Sequence, residues 1–457
     1  MKRVKPTAVR AAVWRWHFYA GLVLAPIILA VTVTGMVYIW ADEWEHTVNR
    51  DLFVADPAEG EPASIDAQAL AVREAYPGAD LTFFSIKGPG YTNSVFFKTE
   101  EGYNRYVYIN PYTAEVQGSR NHSRSFMPIM RRAHRTLYMG TTGRVLAELA
   151  TSWTIILLLT GVYLWWPRPL TRVAGVWLPR LRRRKPYLFW RDLHSVPAAY
   201  ITAFALIIAA TGLFYTLASG TLMKLGVLAT SRLDEVLLDP PAVSTHQPTT
   251  PATRDQIVAA VIERTGARSI GLVAPHGEPT HTPGDHNHEE HLHITLDDYD
   301  PDEPVLFDKP WFVEVGNKDD PESRGFLYVD PYTAEVLLDL RYSDAEASVK
   351  IAGYMYPLHV GSVWGTPTKI LATLTCLLII AMVATGIIMW WVRRPRGRSG
   401  FMPLPDRYRW PIPWWAAIAV CSIVMPVFAV SVVLVVLLER LVWLYDRFTK
   451  HRSIWKT

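Results

Sequence analysis

Four of the 14 histidines in this 457-residue chain fall at matching places in two similar halves. His17 in "WRWHFYAGL" corresponds to His194 in "FWRDLHSVPAAY", 177 positions on, and His134 in "RRAHRTLYMG" corresponds to His359 in "MYPLHVGSVWG", 225 positions on. A single histidine near a membrane edge is ordinarily an interfacial side chain. Two register-matched pairs are a different matter, because like helices related by a two-fold axis present two neutral imidazoles to one centre, the set a low-spin haem iron takes. Arginines stand beside them: Arg15 and Arg191 near the first pair, Arg131, Arg132 and Arg135 around His134. Guanidinium binds carboxylate bidentately, so haem propionates are a fitting partner for all five, and the last three can equally hold an anionic ferric chelate. Arg15 and Arg191 also have a simpler explanation in the excess of basic residues on the cytoplasmic side of membrane proteins.

Six further histidines, His276, His281, His286, His288, His291 and His293, crowd into "HGEPTHTPGDHNHEEHLH". Imidazole and carboxylate together suit a divalent transition metal such as Zn, Cu, Ni or Fe. Nothing in the tract fixes a geometry, and a solvated Gly- and Pro-containing loop is the competing reading.

The elements that must position these residues are membrane helices. Half of the residues are hydrophobic, 18 are Trp, and the apolar runs Trp16 to Trp40, Val145 to Trp166, Ser195 to Leu217, Ile370 to Trp391 and Ile412 to Leu438 each reach the roughly 20 residues a bilayer needs. Glu148 is the one charged residue inside them. Pro426 is placed to kink the last run or split it. Lys and Arg concentrate in the first 15 residues, in 167–191 and in 392–410, which assigns those segments to the cytoplasm and the stretches 41–144 and 218–369 to the outside, in a bacterium the periplasm. No small-residue cleavage site follows the first run, which reads as a retained anchor.

"YVYINPYTAEVQG" (106–118) returns as "FLYVDPYTAEVLL" (326–338), and the spans repeat with it: "TGVYLWWPR" matches "TGIIMWWVRR", and Thr34-Gly35 matches Thr211-Gly212. The expected organisation is therefore a tandem duplication with a pseudo-two-fold axis along the membrane normal. Its parts are a first helix (1–40), an α+β domain (41–144), a second helix (145–166), a basic loop (167–194), a third helix (195–217), a second α+β domain (218–369) with the His-rich insertion, a fourth helix (370–391), a loop (392–411), a fifth helix (412–438) and a tail. In the first domain Ser64 caps a helix, and strands follow near Leu81 to Ile86, Ser94 to Lys98 and Tyr103 to Ile109. Asn110-Pro111 and Asp330-Pro331 open type I turns, so the repeated motif reads as structural punctuation and not as a catalytic role for Tyr112 or Tyr332.

Helical rise sets depth. Gly35 and Gly212 lie 18 residues after His17 and His194, about 27 Å along a helix, and so reach the level of His134 and His359; Gly161 and Gly386 run the other way and end near His17 and His194. The missing side chains leave room for a flat macrocycle or serve ordinary small-residue helix packing, and both readings stand.

With its "WRWHFYAGL", "FWRDLHSVPAAY", "RRAHRTLYMGTTGRVL" and "TGVYLWWPR" segments and its two PYTAEV hairpins, the chain resembles the PepSY-associated transmembrane family over roughly residues 10 to 395. That family includes iron-regulated inner-membrane proteins and haem-containing siderophore reductases. The resemblance implies two b-type haems and electron transfer toward a ferric chelate in the periplasm. It departs at "MYPLHVGSVWGTPTKIL", where the basic residues flanking His134 have no counterpart.

Cys376 and Cys421 both lie in predicted spans, which excludes a periplasmic disulfide framework, a CxxCH haem attachment and an all-Cys cluster. There is no GxGxxG and no P-loop, so electrons must come from a separate cytoplasmic donor or from quinol. No nucleic-acid partner is expected. Three classes are weighed: a haem reductase with Arg131, Arg132, Tyr138 and Trp364 near its substrate dock, a periplasmic binding or regulatory module, and a transporter. The last is weakest, since coupled transporters place ionisable groups near the midplane and these spans hold only Glu148.

Overall fold

The computed structural model describes residues 8–55, 61–77, 79, 81, 83–99, 102–166, 173–180, 186–233, 240–243, 251–273, 309–394 and 412–454. The His-rich tract and its six histidines lie outside these residues. The chain divides into a helical unit (1–39, 130–225 and 358–457) and a sheet unit (40–129 and 226–357).

Among the described residues, five helices of the first unit are long and apolar enough to cross a membrane. Four form a closed ring: α1 (Ala8–Tyr38) packs on α6 (Gly140–Trp165), α6 on α7 (Pro186–Leu213), α7 on α11 (Thr366–Arg393), and α11 back on α1. The run over 412–438 is divided at its proline, one of the two outcomes expected of Pro426, so it is not one continuous helix. Pro426 lacks the N–H that would continue the helix, so the chain breaks at Met425 into α12 (Ile412–Val424) and α13 (Pro426–Ile454), and the spanning length is Pro426–Tyr445. Leu24, Ile28, Trp153 and Leu213 of the ring meet Met425, Phe428 and Val432 in one buried cluster.

Glu148 is fully buried, yet satisfied. Its Oε2 accepts from the Ala218 N–H at 2.8 Å, and its Oε1 from the Ser219 N–H at 2.8 Å and the Ser219 hydroxyl at 2.6 Å. It thus caps the N-terminus of α8 (Ala218–Leu228), where free amide groups and the helix dipole stabilise an anion.

In the sheet unit the expectation of two separate α+β domains is corrected. The strands β1 (Phe83–Ile86), β2 (Asn93–Lys98), β3 (Asn104–Ile109), β4 (Val116–Asn121), β5 (Ile270–Val273), β6 (Trp311–Asn317), β7 (Asp320–Val329) and β8 (Val336–Arg341) form one antiparallel sheet, ordered β4-β3-β2-β1-β5-β6-β7-β8. The two half-sheets join where Phe83 to Ile86 pair with Val273 to Ile270, so each covers the other's bare inner edge. The helices α4 (Ile65–Ala75) and α9 (Arg254–Thr265) cover one face, burying Val72, Val95, Val107, Ile257, Leu272, Val313 and Leu327. They cap each other: Asp255 accepts from the Ile65 N–H at 2.8 Å, and Asp66 from the Arg254 N–H at 3.2 Å. Ser64 caps α4 as expected. In the two PYTAEV hairpins the Asn110 amide oxygen accepts from the Tyr112 N–H and the Asp330 carboxylate from the Tyr332 N–H, and Ala114 and Ala334 take positive φ to close the loop. The motif is a turn.

Candidate cofactor site

The helical unit brings the four matched histidines together in two pairs. The rings of His17 and His194 are centred 6.4 Å apart, and those of His134 and His359 6.0 Å apart. His17 sits near the start of α1 and Gly35, against which His134 packs, near its end. The 18 residues between them put about 27 Å between the two pairs along that helix.

Each imidazole is held by the same device. The His134 Nδ1 lies 2.8 Å from the Val31 carbonyl, His359 Nδ1 2.9 Å from Ile208 O, and His194 Nδ1 2.9 Å from Met382 O. Val31, Ile208 and Met382 each stand four residues before a glycine that follows threonine: Gly35, Gly212 and Gly386. His17 meets the fourth such place, with its Nδ1 3.0 Å from the Thr160 hydroxyl, one residue before Gly161. That hydroxyl already donates to Ile156 O at 2.6 Å, so it accepts from His17. In all four rings Nδ1 therefore carries the proton, and Nε2 is left with a free lone pair, the tautomer that a metal ligand requires.

The glycines serve the histidines directly. A Cβ on Gly35 would lie 2.8 Å from His134 Cε1 and one on Gly212 2.8 Å from His359 Cε1, whereas Gly161 and Gly386 leave 3.4 and 3.6 Å to His17 and His194. The expected level of each Thr-Gly is thus found, and the space it opens is filled by an imidazole reaching past the missing side chain to a carbonyl one turn back. Gly35→Ala and Gly212→Ala are accordingly expected to cost about 1–3 kcal/mol through overpacking and to disturb the His134–His359 pair. Gly161→Ala and Gly386→Ala, at ordinary contact distance, are expected to cost less; thermal unfolding of the four variants gives the comparison.

His134 and His359 are half-exposed as residues, but their rings are enclosed. Burial, aided by the neighbouring His359, pushes the His134 imidazole down to about 4, and burial likewise lowers His359. Both imidazoles are therefore neutral at neutral pH. A tight reversal sets His134 in place: α5 (Phe126–Thr136) ends two residues after it, and Leu137 and Tyr138 both adopt positive φ. Gly143 then passes under the Thr136 carbonyl, where any Cβ would collide. On the other side α10 (Ala347–Val360) carries His359, and Tyr215 packs on its ring at 5.9 Å.

The arginines divide. Arg15, 3% exposed, bonds Glu439 through Nη2 at 2.9 Å. Arg191 bonds Asp192 at 2.6 Å, and Arg180 holds the same fully buried carboxylate through Nε at 2.6 Å and Nη2 at 3.0 Å. Both guanidinium groups near the His17–His194 pair are therefore engaged by protein carboxylates. Among the described residues, Arg131 and Arg132 enter no ion pair. Tyr138 and Trp364 are exposed. His46 packs on Phe53 and Tyr91 in the sheet unit. Asp192 and Glu439 escaped the sequence reading: Glu439 stands 424 positions from Arg15 and leaves no local signal of it, and Asp192 sits in a basic segment whose many arginines do not single out Arg180 and Arg191.

A family model described as the PepSY-associated TM region matches residues 14–393. The chain belongs to the PepSY-associated transmembrane family. The family match takes in all four histidines and all four Thr-Gly steps, and stops before α12 and α13. Together with the five spanning helices, it makes the chain a multi-pass PepSY-associated membrane protein. No curated protein matches the chain.

Proposed function

We propose that this protein is a di-haem reductase of a bacterial inner membrane, passing electrons from a cytoplasmic donor or the quinol pool to a ferric chelate in the periplasm. The observation that carries the proposal is the pair of bis-imidazole sites, each ring with Nδ1 bonded to the protein and Nε2 left free. With metal–imidazole bonds of about 2 Å, two rings holding one haem iron would have their centres about 6 Å apart, the spacing of both pairs. Among the described residues no three His, Cys, Asp or Glu side chains gather as a cation site. A bare divalent ion ordinarily needs three or four protein ligands, whereas a haem needs two from the protein. The donor set fits haem b at His17–His194 and at His134–His359.

Bound haem supplies one-electron chemistry, cycling between ferric and ferrous iron. The protein's own part is to fix each ring by its Nδ1 hydrogen bond and to line the helix ring with apolar side chains. It also separates the two sites by about the thickness of a bilayer's hydrocarbon core. The two halves read as duplicated units, with the sheet unit in the periplasm. Arg131 and Arg132, beside His134 and outside any ion pair among the described residues, suit docking of an anionic chelate.

In proteoliposomes with donor enclosed, an external ferric chelate is expected to be converted to ferrous iron, measured with a ferrous indicator. Replacing either member of either pair is expected to abolish that flux. If the reduced haem were not reoxidised by any ferric chelate, the binding or regulatory reading would take its place.

A further inference from the structure

Two residues before each histidine of the His17–His194 pair stands a buried charge, and the two charges are opposite. Arg15 and Asp192 are 177 positions apart, the interval that separates the histidines themselves. Each is met by an opposite charge from outside the four-helix ring. Asp192 is met by Arg180 in the segment between α6 and α7, with its neighbour Arg191, and Arg15 is met by Glu439 on α13. That last helix lies beyond residue 393, where the family match ends.

A second polar contact seats α13. Trp153 Nε1 donates to Ser431 Oγ at 3.0 Å, and Phe428 packs on the Trp153 ring at 5.1 Å. Trp153 in turn lies 6.0 Å from Trp16, the neighbour of His17. Ser431 to Glu439 and Trp153 to Gly161 are both eight-residue steps, about 12 Å of helix. The helix α13 thus runs beside α6 and delivers Glu439 to the level of His17.

We propose that Glu439 is a positioning residue for the His17–His194 haem: by cancelling the buried Arg15 charge it holds down that haem's reduction potential, and α13 is the element by which this chain sets it. The inference rests on the haem reading above. Reduction of ferric to ferrous iron adds one electron, here from a chemical titrant, and lowers the positive charge of the centre by one. In a poorly screened interior, removing a negative charge near the centre favours the reduced state, and removing a positive charge disfavours it. A helix that only braced the fold would give no such pair of opposite signs.

The test is a redox titration of the purified full chain, followed by absorbance, in the wild-type and His134→Ala backgrounds; the second isolates the haem in question. At a fixed ambient potential Glu439→Gln is expected to raise the ratio of reduced to oxidised haem severalfold, and Arg15→Gln to lower it. The swapped pair Arg15→Glu with Glu439→Arg is expected to return it near the native value, with thermal unfolding restored in parallel. Should Arg15→Gln fail to assemble, Glu439→Gln and the swapped pair still decide. Shifts of one sign in both single variants, no shift, or no recovery in the swapped pair overturns the proposal. Haem present with unmoved potentials overturns the role of Glu439 alone; a wild-type chain without haem overturns the reading beneath it.

Discussion

Replacement of His17 or His194 by alanine is expected to halve the haem content of the purified protein, from two per chain to one, and replacement of His134 or His359 to halve it by loss of the other haem. The two pairs do not share a ligand, a carbonyl acceptor or a glycine. Val31 and Gly35 serve His134, Ile208 and Gly212 serve His359, Met382 and Gly386 serve His194, and Thr160 and Gly161 serve His17. Loss of one iron therefore leaves the second ring pair with its tautomers set and its haem still reducible by dithionite. Combining one change from each pair is expected to remove both. Pyridine haemochrome absorbance per mole of chain gives the count, and a single histidine variant that kept both haems would contradict the pairing.

The second large effect is on stability. Glu148→Ala removes a buried carboxylate that accepts three hydrogen bonds at the start of α8. Hydrogen bonds to a charged acceptor contribute about 1.5–3 kcal/mol each, and two backbone N–H groups are left without that partner. Even allowing for relaxation and for the cost of burying the charge, a loss of about 3 kcal/mol is expected, with α8 fraying first. Hydrogen exchange of the α8 amides and thermal unfolding in detergent measure it. Glu148→Gln keeps an acceptor oxygen and is expected to lose less. An alanine variant with native unfolding and native α8 protection would show that the carboxylate is not the cap.

Much of this was legible in the sequence, for identifiable reasons. Apolar runs of bilayer length report membrane helices because lipid leaves backbone polar groups no partner but their own helix. The pairing of His17 with His194 and of His134 with His359 was legible because the halves repeat in register, and the levels of Gly35 and Gly161 followed from helical rise. Other features, like the Asp192 and Glu439 partners, were not. The edge-to-edge joining of β1 with β5 depends on two strands separated by some 180 residues, and each strand reads locally as the edge of its own small sheet. The work of the Thr-Gly steps was hidden because a missing side chain does not name what fills its place, and here that is an imidazole. Lastly, Glu148 had the look of an isolated charge within a span until the start of α8 was found folded against it.

The central claim is that two bis-imidazole sites hold haem, and an absorption spectrum of the protein purified from haem-replete cells tests it most directly. The account predicts a Soret band that shifts on dithionite addition and a pyridine haemochrome yield of two b haems per chain. A colourless protein from such cells, with no haemochrome signal, would contradict it.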